Sequence, residues 1–127
     1  MAAGQRLRRV NEAIRQVLAE AIGRELADPR LELVTITEVR ATPDLREAKV
    51  YFTTLDTRRR EGARRALESA RGILQARVAA ALGTRQTPQL SFVYDELQQR
   101  AERLSRLIDQ VAPESGSSGR AGGEDGG

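Results

Sequence analysis

The 127-residue chain contains no cysteine and no histidine. Without cysteine it has neither disulfides nor a thiol nucleophile, and without histidine it lacks the commonest metal ligand and the usual neutral-pH acid–base group. Most familiar hydrolytic and zinc-dependent sites are thereby excluded. No phosphate-binding glycine motif is present, and the remaining carboxylates and hydroxyls are scattered rather than paired. No enzyme, no metal and no cofactor are therefore expected. No apolar run approaches the roughly 20 residues needed to cross a bilayer, and Met1-Ala2-Ala3-Gly4-Gln5 lacks the apolar segment of a secretory signal. The expectation is a soluble cytoplasmic protein with no membrane partner. Lysine is almost missing too: every basic residue except Lys49 is arginine, a bias that follows genome composition as readily as function.

What is present is an uneven charge. Lys and Arg total 21 against 18 Asp and Glu, and a chain of this length supports one ordinary core. Residues 1–57 hold nine basic and nine acidic groups, residues 58–85 eight and two, and residues 86–127 four and seven. The surplus sits in the middle. Such a local field attracts polyanions and contributes salt-dependent affinity for phosphates whatever the base sequence. Nucleic acid is the first partner to expect.

Leu7, Val10, Ile14, Val17, Leu18 and Ala21 recur at steps of three and four, which predicts a long first helix over 6–26. Asp28-Pro29-Arg30 stops it. Residues 33–40, rich in Val, Ile and Thr, read as a strand; Val39 has the opposite parity to Val34 and Ile36, which predicts a bulge near Glu38. After the turn Thr42-Pro43-Asp44, the alternation of Ala48, Val50 and Phe52 gives the clearest half-buried strand. Helical periodicity returns through Ala63, Ala66, Leu67 and Ala70, then Leu74, Val78 and Ala81, with Leu82-Gly83 as a C-cap. Gly72 inside this pattern costs about 1 kcal/mol relative to alanine and predicts a bend or a close backbone contact. Leu90, Phe92 and Tyr94 define a third strand, expected to run parallel to the first, and Leu97, Ala101, Leu104 and Ile108 a short closing helix. From Pro113 onward Gly, Ser and charge dominate, and disorder is expected. The order helix, strand, strand, bent helix pair, strand implies an α+β domain with helices on one face of a three-stranded mixed sheet.

The candidate RNA-binding residues are Arg60, Arg64, Arg65, Arg71, Arg77 and Arg85 from the basic middle, with Arg6, Arg8 and Arg9 as a phosphate-binding start. Each has a plainer reading. The central arginines also suit a solvated face with i,i+4 pairs such as Glu61 to Arg65, although two carboxylates cannot neutralise eight arginines. Arg6, Arg8 and Arg9 also suit a solubilising start, and Gly72 close helix packing. The bend is expected to turn Arg71 and Arg77 toward one surface. Asp28, Asp44 and Asp95 read as turn and cap residues rather than catalytic carboxylates.

The chain order is that of a type II KH domain. Arg9-Val10, Leu26-Ala27-Asp28-Pro29-Arg30-Leu31, Thr35-Ile36-Thr37-Glu38-Val39, Asp44-Leu45-Arg46-Glu47-Ala48-Lys49-Val50-Tyr51, Ala70-Arg71-Gly72 and Pro88-Gln89-Leu90-Ser91-Phe92-Val93-Tyr94-Asp95, in that order, resemble the bacterial ribosome-binding factor A family over about residues 6–110. The resemblance implies a KH-like RNA-binding domain over 5–111, and composition makes 112–127 a disordered Gly/Ser-rich tail. The resemblance further implies a non-catalytic monomer that binds the small (30S) ribosomal subunit and its 16S rRNA, alongside other assembly factors, during late assembly and rRNA processing, and that supports growth in the cold. In that family an Ala-x-Gly helix kink stands where KH domains carry Gly-x-x-Gly, and Ala70 and Gly72 match it, so four-nucleotide KH recognition is not assumed. Gln75 departs from the family, which often carries arginine there; Arg71 and Arg77 are the expected substitutes. The alternative class is a KH-type protein-interaction module or a general single-stranded RNA-binding protein, separable by salt dependence.

Overall fold

The computed structural model describes the backbone of residues 2–84 and 86–116 and the side chains of residues 4–84 and 86–109. Helix α1 (Ala2–Arg24) buries the predicted stripe, with Ile14, Leu18, Ala21 and Ile22 in the core and Leu7, Val10 and Val17 half-buried against it. It ends two residues before the predicted stop because the amides of Glu25 and Leu26 both donate to the Ala21 carbonyl, at 2.9 and 3.2 Å. The Asp28 carboxylate then caps a single 3-10 turn, Pro29–Leu31, by accepting from the Arg30 amide at 2.9 Å. That turn sinks Leu31 into the core.

Strands β1 (Val34–Ala41) and β2 (Glu47–Thr54) pair antiparallel. Ile36 faces Phe52 but Glu38 faces Tyr51, so Thr37 is the extra residue of a bulge. The bulge switches parity and lets Ile36, Val39 and Ala41 all face inward. Strand β3 (Gln89–Tyr94) corrects one expectation. It lies beside β2, in the order β1-β2-β3, and runs parallel to β2 rather than to β1. The physical reason is that the chain between β2 and β3 is a helical crossover, which returns a strand in the same direction next to the one it left, whereas β1 reaches β2 through a tight reversal. The sheet is mixed, as predicted.

Helices α2 (Arg60–Ser69) and α3 (Arg71–Leu82) form that crossover. Their buried residues Ala63, Ala66, Leu67, Leu74 and Val78 join Ile14, Leu18, Val50, Phe52, Leu90 and Phe92 in one core. Phe52 meets Tyr94 edge-to-face at 5.4 Å. Helices α1 to α3 cover one face of the sheet, while Glu38, Arg40, Glu47, Lys49, Gln89 and Ser91 are exposed on the other. The break between α2 and α3 falls at buried Ala70, whose backbone sits at φ −90°, ψ 3°. Gly72 lies inside α3, and a Cβ there would meet nothing within 4 Å. The close-contact reading of Gly72 is therefore not what the fold uses. Gly83 closes α3 in the left-handed conformation at φ +63°, as predicted.

The chain up to Asp95 is one compact unit, and the last helix, α4 (Glu96–Gly116), belongs to a second. It is longer than the short helix predicted around Leu97, Ala101, Leu104 and Ile108, and runs on through Pro113 to Gly116. Helical backbone thus extends over residues 112–116 of the predicted tail, while 117–127 lie outside the described residues. No helix among the described residues is long and apolar enough to cross a membrane.

Candidate nucleic-acid interface

On α2, Arg60, Arg64 and Arg65 fall with Glu61 and Glu68 inside an arc of about 140° at the helical pitch. Glu61 serves two of them, Arg64 at 2.6 Å and Arg65 at 3.4 Å. The hydrogen bond from Arg64 holds the Glu61 carboxyl below its usual range, and Glu61 raises Arg64 in return. Glu68 pairs with Arg71, the first residue of α3, and its charge also acts on Arg64. The guanidinium of Arg60 lies over the Tyr94 ring, 5.5 Å from its centroid. These residues form one continuous charged strip from the start of α2 across the Ala70 break.

Arg77 does not join them. Its Nε donates to Glu25 Oε1 at 2.6 Å, tying α3 to the segment just after α1. Arg71 and Arg77 are six residues apart on one helix, about 120° around it, and each is engaged by a carboxylate from a different part of the fold. The expected shared surface is therefore not formed. Arg85 lies outside the described residues.

Arg6, Arg8 and Arg9 are exposed and make no ion pair or side-chain hydrogen bond among the described residues. The nearby carboxylate on their helix, Glu12, is taken by Arg15 and Gln16; the hydrogen bond from Arg15, then that from Gln16, holds its pKa at about 2. About 24 Å of helix separates Arg8 from the far end of α1, which Arg77 borders. The structure thus offers two basic areas: a paired strip on α2 and α3, and an unpaired cluster on the first turns of α1.

Sequence reasoning misses several residues. Glu25 and Asp56 lie outside residues 58–85 yet neutralise Arg77 and Arg58, so the central field is weaker than a charge count within that window suggests. Arg59 and Lys49 are not among the candidates, yet both are exposed and unpaired among the described residues. Gln75, read from the sequence as a missing contact, has a different role. Its Nε2 donates to the Pro88 carbonyl and its Oε1 accepts from the Leu90 amide at 3.3 Å. These are backbone groups of Leu90 in β3 and of Pro88 just before it, on the edge away from β2, so Gln75 closes the start of an open sheet edge. The local signal is a polar residue between Leu74 and Val78, near the buried stripe of α3. Among the described residues no group of three or more His, Cys, Asp or Glu is placed to hold a metal ion.

The fold and this surface together define a small α+β domain with a three-stranded mixed sheet that displays arginine on three helices. Comparison with known proteins is more specific. The family model described as ribosome-binding factor A matches residues 6–108, and the chain belongs to that family. Ribosome-binding factor A of Frankia casuarinae is 46% identical over 109 residues, covering 85% of this chain and 65% of the relative. That of Frankia alni is 47% identical over 109 residues, covering 85% and 54%. The chain thus spans less than two thirds of the length of these relatives. The crystal structure of ribosome-binding factor A from Thermus thermophilus superposes with a TM-score of 0.64 at 35% identity, covering 69% of this chain and 93% of that one. A Thermus thermophilus homology model fitted into a cryo-EM map of a 30S complex gives 0.55 at 37% identity, covering 64% and 86%.

Proposed function

We propose that this chain binds the free small ribosomal subunit through its 16S rRNA during late assembly, as a non-catalytic, monomeric cytoplasmic factor acting beside other assembly factors, and that it thereby aids rRNA processing and growth in the cold. The observation that carries the reading is the pair of arginine areas, one unpaired at Arg6, Arg8 and Arg9 and one paired at Arg60, Arg64, Arg65 and Arg71, on a domain of this family. A relative was placed in a 30S complex map, which supports the same partner here. Exposed arginine–carboxylate pairs are worth no more than about 1 kcal/mol. Phosphates can therefore replace Glu61 and Glu68 at little cost, and bidentate arginine contacts suit them.

Co-sedimentation with small subunits from a maturation-impaired strain tests this reading. Arg64, Arg65 and Arg71 changed together to glutamate should abolish co-sedimentation while leaving the circular dichroism melt nearly unchanged. Binding that persists with unaltered salt sensitivity would remove α2 from the interface. A protein-interaction role is the second reading, favoured by the exposed Leu97, Leu104, Leu107 and Ile108 of α4. It predicts an association that tolerates added salt, whereas phosphate contacts weaken steeply.

A further inference from the structure

A recess of about 370 Å³ opens between the first turns of α1 and the turn joining β1 to β2. Leu7, Val10, Pro43 and Leu45 give it apolar walls, and Arg6 is the one charged residue lining it among the described residues. Leu7, Val10 and Leu45 rest on the core behind it. Leu45 holds its place with φ +59°, fixed by its amide donating to the Thr42 carbonyl at 2.8 Å. The carboxylates at hand are already used: Asp44 by Thr42 and Arg46, and Glu12 by Arg15 and Gln16. An apolar recess at the small end of the ligand-pocket range is thus lined by one cation, Arg6, while Arg8 and Arg9 stand on the same turns of α1 outside its lining, and nothing within the described fold neutralises any of the three.

That combination suits one ligand chemistry: a flat, largely apolar group with negative charge on both sides of it. We propose that the recess takes a single unpaired nucleotide of RNA, its base packed against Leu7, Val10, Pro43 and Leu45, while Arg6, Arg8 and Arg9 hold the flanking phosphates. This rests on the RNA-binding reading above and specifies what the α1 surface recognises: an extruded base rather than a duplex backbone alone. An anionic membrane is the weaker fit. The apolar stripe of α1 is spent on the core from Ile14 onward, which leaves too little apolar face to insert.

The test measures the full chain by fluorescence anisotropy against two RNA hairpins identical except for one bulged nucleotide. Burial of one base face against these aliphatic walls predicts about tenfold tighter binding of the bulged hairpin. Leu45→Gly removes a wall while easing the backbone, since glycine adopts positive φ freely; it should bring the bulged hairpin to within twofold of the paired one. Leu7→Ala, also checked by circular dichroism, should reduce the ratio in the same direction and stands in if Leu45→Gly fails to fold. Equal binding of both hairpins by the unaltered chain, or a ratio untouched by both variants, overturns the nucleotide site. If the chain binds neither hairpin yet co-sediments with small subunits, the site is overturned and the ribosomal reading stands. If it does neither, both fall. Binding to phosphatidylglycerol vesicles without any hairpin preference would also overturn the site and reassign the recess to membranes.

Discussion

Replacing Gln75 by alanine isolates the contribution of one side chain that joins α3 to β3. Both Gln75 bonds end on fixed partners, since the Pro88 carbonyl only accepts and the Leu90 amide only donates, so the amide orientation is dictated. Pro88 and Leu90 are fully buried residues. Truncation leaves one donor and one acceptor without partners in a site that is only partly accessible. An unsatisfied buried group costs about 1–3 kcal/mol, and partial access to water puts the pair near the lower end, at about 2 kcal/mol in total. A domain of this size loses roughly 4–8 °C in Tm per kcal/mol, so Gln75→Ala should lower the melt by about 8–16 °C. Gln75→Arg, the residue type anticipated from the family resemblance, keeps a donor for Pro88 but cannot accept from Leu90, and should lose about half as much. Thermal melts by circular dichroism at fixed pH and salt decide it. A drop under about 3 °C for Gln75→Ala would show that water replaces the amide and that the clamp is incidental.

Three other substitutions separate charge, backbone and pairing. Gly72→Ala should raise stability by up to about 1 kcal/mol and leave co-sedimentation with small subunits unchanged, because the helix breaks at Ala70 and the added Cβ meets open space; weakened binding would restore a functional role for the glycine. Arg6, Arg8 and Arg9 changed together to glutamine should reduce the slope of log K against log salt by about 2 to 3, at 0.7–0.9 per lost phosphate contact. An unaltered slope would leave the α1 cluster outside the interface. Glu12→Gln addresses acid stability. The folded Glu12 pKa lies at about 2 against an ordinary value of 4.5, so its contribution is present above pH 4.5 and is lost as pH falls through 2. Chemical denaturation from pH 6 down to pH 2 should show a shallower acid decline in the variant, and an identical decline would mean that the Glu12–Arg15 pair forms equally in the unfolded chain.

Among the described residues the hydrophobic pattern locates each strand and each α-helix, because period-2 and period-3.6 stripes are properties of the chain itself. The reversed parity of Val39 even announces the bulge at Thr37. Strand direction is not so encoded. Whether β3 runs with β1 or with β2 depends on where the crossover sets it down, and no local residue reports that. The bend falls inside the Ala70-Arg71-Gly72 interruption, but its exact residue is not encoded, for a related reason. Propensity marks Gly72 as the weak point of a helix, yet the chain breaks where buried Ala70 lets two helices meet, which is a matter of packing. The partners of the arginines divide into two kinds. Glu25 reaches Arg77 across 52 residues, which is visible only in the fold. Asp28, Asp44 and Asp56, by contrast, each precede an arginine by two positions and accept its backbone amide, at 2.9, 3.1 and 3.0 Å, while pairing with its guanidinium. That spacing is legible in the sequence, and it removes Arg30, Arg46 and Arg58 from the free cations.

The same spacing explains why net charge is a poor guide to this surface. Arg6, Arg8 and Arg9 have no acid two residues before them, and Glu12 is committed to Arg15 and Gln16. They keep their full field in a segment that a residue count scores as neutral, while much of the apparently basic middle is discharged by its own carboxylates. An unpaired cluster attracts a polyanion at a distance within the Debye length, about 8 Å at physiological salt. A paired strip exerts little long-range pull and engages only on contact, when phosphate displaces carboxylate. The two areas should therefore affect binding differently: loss of the α1 cluster slows association and flattens its salt dependence, and loss of the α2 strip speeds dissociation. Stopped-flow mixing of each variant with small subunits separates these effects, and a slower association rate in the α2 variant alone would reverse the assignment.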